Sequence, residues 1–549
     1  MKVVIIGGVA GGATAATRIR RLDEKAEIII FEKSKYVSYA NCGLPYYIGD
    51  EIKDKRNLTL ASPEGLWNRY RIKVKINHEV IDIDSFNKKV IVKNLKDNSV
   101  FEETYDKLLL SPGAKPITLN FLDKPLNNVF TLRTVEDTFK IKEYINFSNP
   151  KKVAIIGGGF IGVEMAENLH SLGIQVSIIQ KDNQLLKVVD RDIASFIHHH
   201  IRSKGVNILL NSFVKSITNN DSQLIVELEN KKLEFDMVII SIGVIPDNIL
   251  AKKANLALGD NGGIKVDSRM QTSIPDIYAV GDAVEITHNI LNKKMLISLA
   301  GPANKQARVA ADNICGLNSE YKGSLSSSVI KVFDMTVAVT GITEEVAKTN
   351  NINYEKVFLS PFSHATYYPN ASVISLKVLY EKDTHKILGA QAVGYEGVEK
   401  RIDVIAAVMM ANGDAMILKD LDLTYAPPYS SAKDPVNMAG FIIDNIENGL
   451  VKQFSFDDID YLIEKDNVIL LDTRTENEYM MGHAKGFINI PLDELRNKLY
   501  LLDKNKKIYV MCQSGLRSYL ATRILMENGF DAYNFIGGYR LYSSIINDN

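Results

Sequence analysis

Three regimes of hydrophobic and polar patterning follow one another along the chain. In the first, short β-branched runs enter glycine turns and helical stretches follow. Residues 2–6 run into Gly7-Gly8-Val9-Ala10-Gly11-Gly12 and then a helical stretch at 13–22, and residues 26–31 end at Glu32. Runs of the same kind stand at 106–110, 153–156, 176–179 and 238–241, and a last one precedes Gly281-Asp282-Ala283. Unbroken apolar runs this short predict strands buried on both faces of a parallel sheet. Residues 299–311 predict an amphipathic helix. In the second regime, residues 329–341, 375–380 and 387–393 alternate like strands of an antiparallel sheet, and 399–411 predict a helix with one apolar face. The third regime begins after a polar stretch, 444–453, which reads as a linker. From Phe456 the α/β pattern restarts, with strands at 468–471 and 508–511. The fold class predicted is α/β: two nucleotide-binding doubly wound domains, an α+β domain and a smaller C-terminal α/β domain.

Composition narrows the function classes. The charge balance is 65 Lys and Arg against 66 Asp and Glu, which suggests neither nucleic acid nor an anionic membrane as partner. No apolar run approaches the roughly 18 residues of a membrane span. The N-terminus resembles a signal peptide only superficially, because its apolar part stops at Gly7. Three cysteines in 549 residues predict a reducing, cytoplasmic setting and reactive thiols over a disulfide framework.

The glycine turns carry the first chemistry. Gly7 to Gly12, between a strand and a helix and with Glu32 ending the next strand, form a dinucleotide fingerprint in which Val9 replaces the usual second glycine. Backbone N–H groups at the helix start would hold a pyrophosphate, and Glu32 would bind ribose hydroxyls. Gly157-Gly158-Gly159-Phe160-Ile161-Gly162, followed by Glu164, is a complete second fingerprint. Its second strand ends in Gln180-Lys181; with no acid to repel a 2′-phosphate, NADH and NADPH both remain open. Asp282 could accept hydrogen bonds from a sugar-alcohol chain or cap a helix.

Ser38-Tyr39-Ala40-Asn41-Cys42-Gly43-Leu44-Pro45-Tyr46 holds one of the three cysteines. Pro45 suits a first helical turn, and a thiol at a helix N-terminus is expected to ionise below about 8.5. The alternative is a buried structural cysteine. Cys315 matches no motif and reads as structural.

Together with Ser111-Pro112-Gly113-Ala114, Gly243-Val244-Ile245-Pro246-Asp247 and Tyr278-Ala279-Val280-Gly281-Asp282-Ala283, these motifs resemble the flavoprotein pyridine nucleotide–disulfide oxidoreductases. The stretch around Cys42, with Val9-Ala10-Gly11-Gly12 in the first loop, resembles the single-cysteine coenzyme A-disulfide reductases within them. The resemblance covers residues 1–445. It implies an FAD-binding domain from 1–111 and 240–322, an NAD(P)H-binding domain at 112–239, a dimerisation domain at 323–446 and a homodimer. It implies FAD at Gly7, Gly8, Ala10, Gly11, Gly12, Glu32, Lys33, Asn41, Ser111, Pro112, Gly113, Gly281, Asp282 and Ala283. It implies NAD(P)H at Gly157, Gly159, Phe160, Ile161, Gly162, Glu164, Gln180, Lys181 and Gly243. Coenzyme A would meet Thr14, Arg18, Arg21, Ser38, Asn41, Asn304 and Lys433. Tyr367 and Tyr425, in tyrosine-proline loops, would reach across the dimer to Cys42 and the flavin site. There a phenol could hydrogen-bond or protonate a leaving thiolate; the alternative is that they only pack.

After a linker at 447–455, residues 456–549 resemble a rhodanese domain, on Asp472-Thr473-Arg474, Glu478, Gly482-His483-Ala484 and Cys512-Gln513-Ser514-Gly515-Leu516-Arg517-Ser518. A loop closing onto a helix N-terminus makes an anion nest for a thiolate or persulfide at Cys512, with Arg517 adding charge. Four residues between Cys512 and Arg517, one fewer than in the tyrosine phosphatases, fit sulfur better than phosphate. A catalytically inert regulatory module is the alternative. The expected activity is FAD-dependent reduction of coenzyme A persulfide or polysulfide by NAD(P)H at Cys42, with sulfur supplied through Cys512. Coenzyme A-disulfide reduction is the runner-up. NADH oxidase or peroxidase activity ranks lower, because that family has a His where Ala10 stands. A sulfur-relay scaffold that holds flavin only structurally is the rival from another class.

Overall fold

A computed structural model of the chain describes residues 1–119, 126–220 and 223–548. It divides into two compact units, one of residues 1–185 with 205–326, the other of 186–204 with the residues from 327 on.

The first unit holds two five-stranded parallel sheets. In one, Lys2–Ile6 lies between Lys107–Leu110 and Glu27–Glu32, with Ile277–Ala279 and Ile72–Ile76 outermost. Val3, Val4 and Ile5 are fully buried, as unbroken apolar runs require of a sheet covered on both faces. The other sheet runs Asn207–Leu209, Gln175–Ile179, Lys152–Ile156, Met237–Ile240, Val129–Thr131. The first helix, Ala10–Leu22, starts before the predicted 13–22. Gly11 and Gly12 have low helix propensity, which hides the first turn from a pattern reading. Packing explains Gly12: a Cβ there would sit 1.8 Å from the Gly7 carbonyl oxygen.

The second unit carries the predicted antiparallel sheet, in the order Ser328–Val332, Met335–Gly341, Ile387–Gly394, Ser375–Glu381, Tyr354–Leu359, with helix Val398–Met410. It also carries the C-terminal parallel sheet, Gln453–Phe454, Ala532–Phe535, Lys507–Met511, Val468–Asp472, Ile488–Asn489. The polar stretch 444–453 is not all linker. Helix Pro435–Glu447 runs through its start, held there by an ion pair between Lys419 and Asp444, and Gln453–Phe454 is already a strand of the C-terminal sheet.

Helix Arg191–Ser203 lies within the span predicted to bind NAD(P)H, yet it groups with the second unit. Lys377, fully buried on the antiparallel sheet, reaches Asp190, Asp192 and Glu344 at 3.0, 2.7 and 2.5 Å. Burial penalises the Glu344 charge, but Lys377 and Lys356 outweigh it and hold the carboxyl down at about 2. On the C-terminal side, Ser195 shares a 2.8 Å hydrogen bond with Ser544, and Asp548 pairs with His198 and Arg202.

Candidate active site

Each glycine turn in the first unit makes an open cradle. Gly7 takes φ +92°, and a Cβ on it would meet the Ser111 carbonyl oxygen at 2.2 Å, so only glycine fits. Neither Ala10–Leu22 nor Phe160–Ser171 has a side-chain cap, which leaves first-turn N–H donors for a phosphate. These features fit the diphosphates of two dinucleotides. At the strand end, Glu32 accepts from the Gly8 N–H at 2.8 Å and from the Ser34 N–H at 2.9 Å. In the second cradle Gln180 accepts from the Gly158 N–H at 3.0 Å in the same way, but its amide nitrogen donates to Asp182 at 2.8 Å, so an acid stands one step further out. Lys181 beside it is exposed. Lys33 forms an ion pair with Asp247 at 3.6 Å, which Lys115 shares.

Beyond the first cradle, the Gly281 N–H donates to Gln306 at 2.7 Å, and Asp282 pairs with Arg133 at 2.7 Å. Asp282 is therefore neither a helix cap nor a lone acceptor. Arg133 and the role of Gln306 have no sequence motif to reveal them; their neighbours are distant in the chain.

Cys42 lies in a three-residue turn, Asn41–Gly43, ahead of the five-residue helix Leu44–Ile48, with Pro45 in its first turn as predicted. The loop is pinned to the first cradle by the Ser38 N–H, which donates to the Gly8 carbonyl at 2.8 Å. Cys42 is exposed and forms no disulfide. The expected fall in its pKa is not what the chain's own groups produce. The residue is exposed to solvent, yet the protein packed around it partly desolvates the sulfur and pushes the thiol up; Glu164 and Asp282 add to that, and Arg133 opposes them. A helix of five residues supplies too little dipole to reverse this. Glu164 itself is pushed up to about 7, chiefly by burial, and accepts a long 3.5 Å contact from the Tyr46 hydroxyl.

Of the residues assigned to coenzyme A, Thr14 and Asn304 are brought together, Oγ1 donating to Oδ1 at 2.7 Å. Arg21 is exposed, whereas Arg18 is half-buried and paired with Asp312 at 2.7 Å, so its charge is already partnered. Ser38 and Asn41 precede Cys42 on the same loop. Lys433 is exposed and belongs to the second unit. In that unit the hydroxyls of Tyr367 and Tyr425 share a 2.7 Å hydrogen bond although 58 residues separate them, and this bond raises the Tyr367 pKa. Both residues are exposed in the single chain.

In the C-terminal domain, Cys512 follows strand Lys507–Met511 and precedes helix Leu516–Glu527. It is fully buried, and its Sγ accepts from the Gly515 N–H and the Ser518 hydroxyl, both at 3.2 Å. Such a donor set suits a sulfur anion. Arg517 does not offer an unpaired charge. It binds both oxygens of Glu478 at 2.7 Å and holds that carboxyl at about 2. Cys315 caps helix Ala300–Ile314 and is half-buried.

The family model "pyridine nucleotide-disulphide oxidoreductase" matches residues 1–307, its dimerisation domain 327–435, and the rhodanese-like domain 455–544. A coenzyme A disulfide reductase of Staphylococcus epidermidis is 38% identical over 442 residues, 80% of this chain and 99% of that protein. Two solved structures match nearly end to end. Reduced CoADR-RHD of Bacillus anthracis has 45% identity and a TM-score of 0.97, covering 100% of this chain and 98% of that one. An NAD-dependent persulfide reductase of A. fulgidus has 36% identity and a TM-score of 0.93, covering 99% and 100%.

Proposed function

Because the chain belongs to the pyridine nucleotide–disulphide oxidoreductases, enzymes that use FAD and NAD(P)H, and carries a rhodanese-like domain behind the dimerisation domain, we propose that it reduces coenzyme A persulfide or polysulfide at Cys42, with Cys512 as the sulfur carrier. The observation that carries this reading is Cys42 itself: exposed, without a disulfide partner, on a loop tied to the first glycine cradle. A lone redox cysteine needs an external thiol to complete its disulfide.

Cys42 as thiolate attacks the inner sulfur of the persulfide. The S–S bond breaks, hydrosulfide leaves, and a mixed disulfide between Cys42 and coenzyme A remains. Bound FAD supplies the relay that brings two electrons from NAD(P)H to this disulfide. Its cleavage restores the Cys42 thiolate and releases coenzyme A thiol. Persulfide, NAD(P)H and one proton thus become thiol, hydrogen sulfide and NAD(P)+. In the homodimer, Tyr367 and Tyr425 face the other subunit's Cys42 and hydrogen-bond the departing thiolate. Arg21, Thr14, Asn304, Ser38, Asn41 and Lys433 hold coenzyme A, with Arg18 in support through Asp312.

Coenzyme A disulfide is the second substrate of this reading, supported by the staphylococcal relative; there the leaving group is coenzyme A thiolate. The donor set at Cys512 favours sulfane sulfur, since disulfide reduction needs no carrier.

The purified protein is expected to be yellow, dimeric, and to bind one FAD per chain. Anaerobic NADH or NADPH should bleach the flavin band, and the faster nucleotide identifies the one that Gln180 and Lys181 select. A flavin that neither nucleotide reduces would leave the sulfur-relay scaffold as the better reading.

A further inference from the structure

Arg401 is 1% exposed, on the inner face of helix Val398–Met410, and it is not among the residues that any of the motifs single out. Its guanidinium gathers the two segments that carry Tyr367 and Tyr425. One amino group donates to the Gly397 carbonyl at 2.9 Å. The other donates to the Ser363 carbonyl at 2.9 Å, four residues before Tyr367, and to Asp434 at 3.0 Å. It also lies 3.2 Å from Ser430 Oγ and 3.4 Å from the Tyr429 carbonyl. Ser430 is itself fully buried and donates to Asp434 at 2.7 Å. The Ala365 N–H donates to the Ser430 carbonyl at 3.1 Å, so the segments also touch directly behind the tyrosines. Gly397 fits this seat: it takes φ +63°, and a Cβ on it would meet the arginine at 2.2 Å.

The two segments therefore share one buried ionic anchor at their base and one phenol pair at their exposed tips. Loop tips with rings 74% and 47% exposed have little packing of their own to set their geometry. The two amino groups of the planar guanidinium reach three carbonyls, a hydroxyl and a carboxylate, with four of these around one amino group, while the Nε–H is buried without a partner among the described residues; an ammonium has a single donor centre and cannot span that width. We propose that Arg401 is a positioning residue for the reaction: it fixes the spacing of Tyr367 and Tyr425, and through Asp434, the N-cap of helix Pro435–Glu447, it fixes the neighbouring Lys433. This rests on the assignment of the two tyrosines to the sulfur step.

The test is a mutant cycle on the FAD-loaded dimer with coenzyme A persulfide as substrate. It compares Arg401→Lys, Tyr367→Phe/Tyr425→Phe and the triple variant. Lysine keeps a charge beside Asp434, so no buried carboxylate is left alone. The tyrosine variant should lower kcat by about a hundredfold, at the low end of what a positioned proton donor contributes. Arg401→Lys should lower kcat similarly and leave the rate of flavin reduction by NAD(P)H unchanged. The triple variant should be no slower than the tyrosine variant, because the anchor acts only through the pair. Losses that multiply in the triple variant, or wild-type kcat in Arg401→Lys, would overturn the positioning role alone. Wild-type kcat in the tyrosine variant would overturn the tyrosine assignment and this inference with it. If Arg401→Lys does not yield a dimer, Ser430→Ala takes its place in the same cycle: a loss that does not multiply with that of the tyrosine variant supports the anchor, and a multiplying loss or wild-type kcat overturns it.

Discussion

Cys42→Ser is expected to end NAD(P)H-dependent reduction of every sulfur substrate while flavin reduction by NAD(P)H proceeds at the wild-type rate. The two half-reactions use different parts of the first unit. In the proposed scheme the nucleotide is held at the second cradle, Gly157 to Gly162 with Gln180, apart from the Cys42 loop, and the link between them is Glu164, which pushes the Cys42 thiol up. Serine is close in shape, so the Ser38–Gly8 link that pins the loop survives. A hydroxyl neither forms a mixed disulfide nor leaves as an anion at neutral pH. The loss should be at least about a thousandfold in kcat, some 4 kcal/mol at about 1.36 kcal/mol per decade. Stopped-flow absorbance of the flavin separates the halves: fast bleaching by NAD(P)H, then no return of the oxidised band when persulfide is added. Persulfide-driven reoxidation at the wild-type rate would remove Cys42 from the mechanism.

Cys512→Ser should divide substrates by whether they bring their own carrier. Coenzyme A persulfide presents its sulfur to Cys42 directly and should turn over within about twofold of wild type. Inorganic polysulfide and thiosulfate-type donors need a nucleophile to collect their sulfane sulfur, and for them the loss should be about a hundredfold or more. The buried Sγ with its two donors suits a persulfide anion. The Arg517–Glu478 pair braces this loop throughout the working range: a carboxyl held at about 2 loses its contribution only as pH falls from its unfolded value towards 2. The pantetheine arm of coenzyme A is long and flexible, and it is the shuttle between the cysteines in this scheme. Equal loss on all donors would make the domain obligatory, equal retention would make it dispensable, and both would reject the division of labour.

The fold is legible wherever burial is two-sided or strictly alternating. The runs at 2–6, 153–156 and 508–511 become strands because they are short, rich in β-branched residues and apolar enough for a sheet covered on both faces. Helix Arg191–Ser203 reads as part of the nucleotide domain because its own amphipathic pattern says nothing about which surface it covers. That choice is made by Lys377 and Asp548, far along the chain. The site shows the same split. Motif residues such as Gly7, Glu32, Cys42 and Cys512 are legible because their chemistry is local. Arg133, which tempers the Cys42 thiol, and Arg401, which anchors two tyrosine segments, carry no local signature. Arg517 reads as added charge at the Cys512 loop, and its pairing with Glu478, 39 residues away, has no local signature.

Side-by-side NAD(P)H consumption with coenzyme A persulfide, coenzyme A disulfide and hydrogen peroxide, anaerobically and at one enzyme concentration, tests the proposed activity most directly. The expected result is a kcat/KM for coenzyme A persulfide at least about tenfold above that for the disulfide, with hydrogen sulfide released in step with NAD(P)H consumed and no turnover of peroxide. A disulfide rate equal to or above the persulfide rate, or peroxide turnover that dominates both, would contradict it.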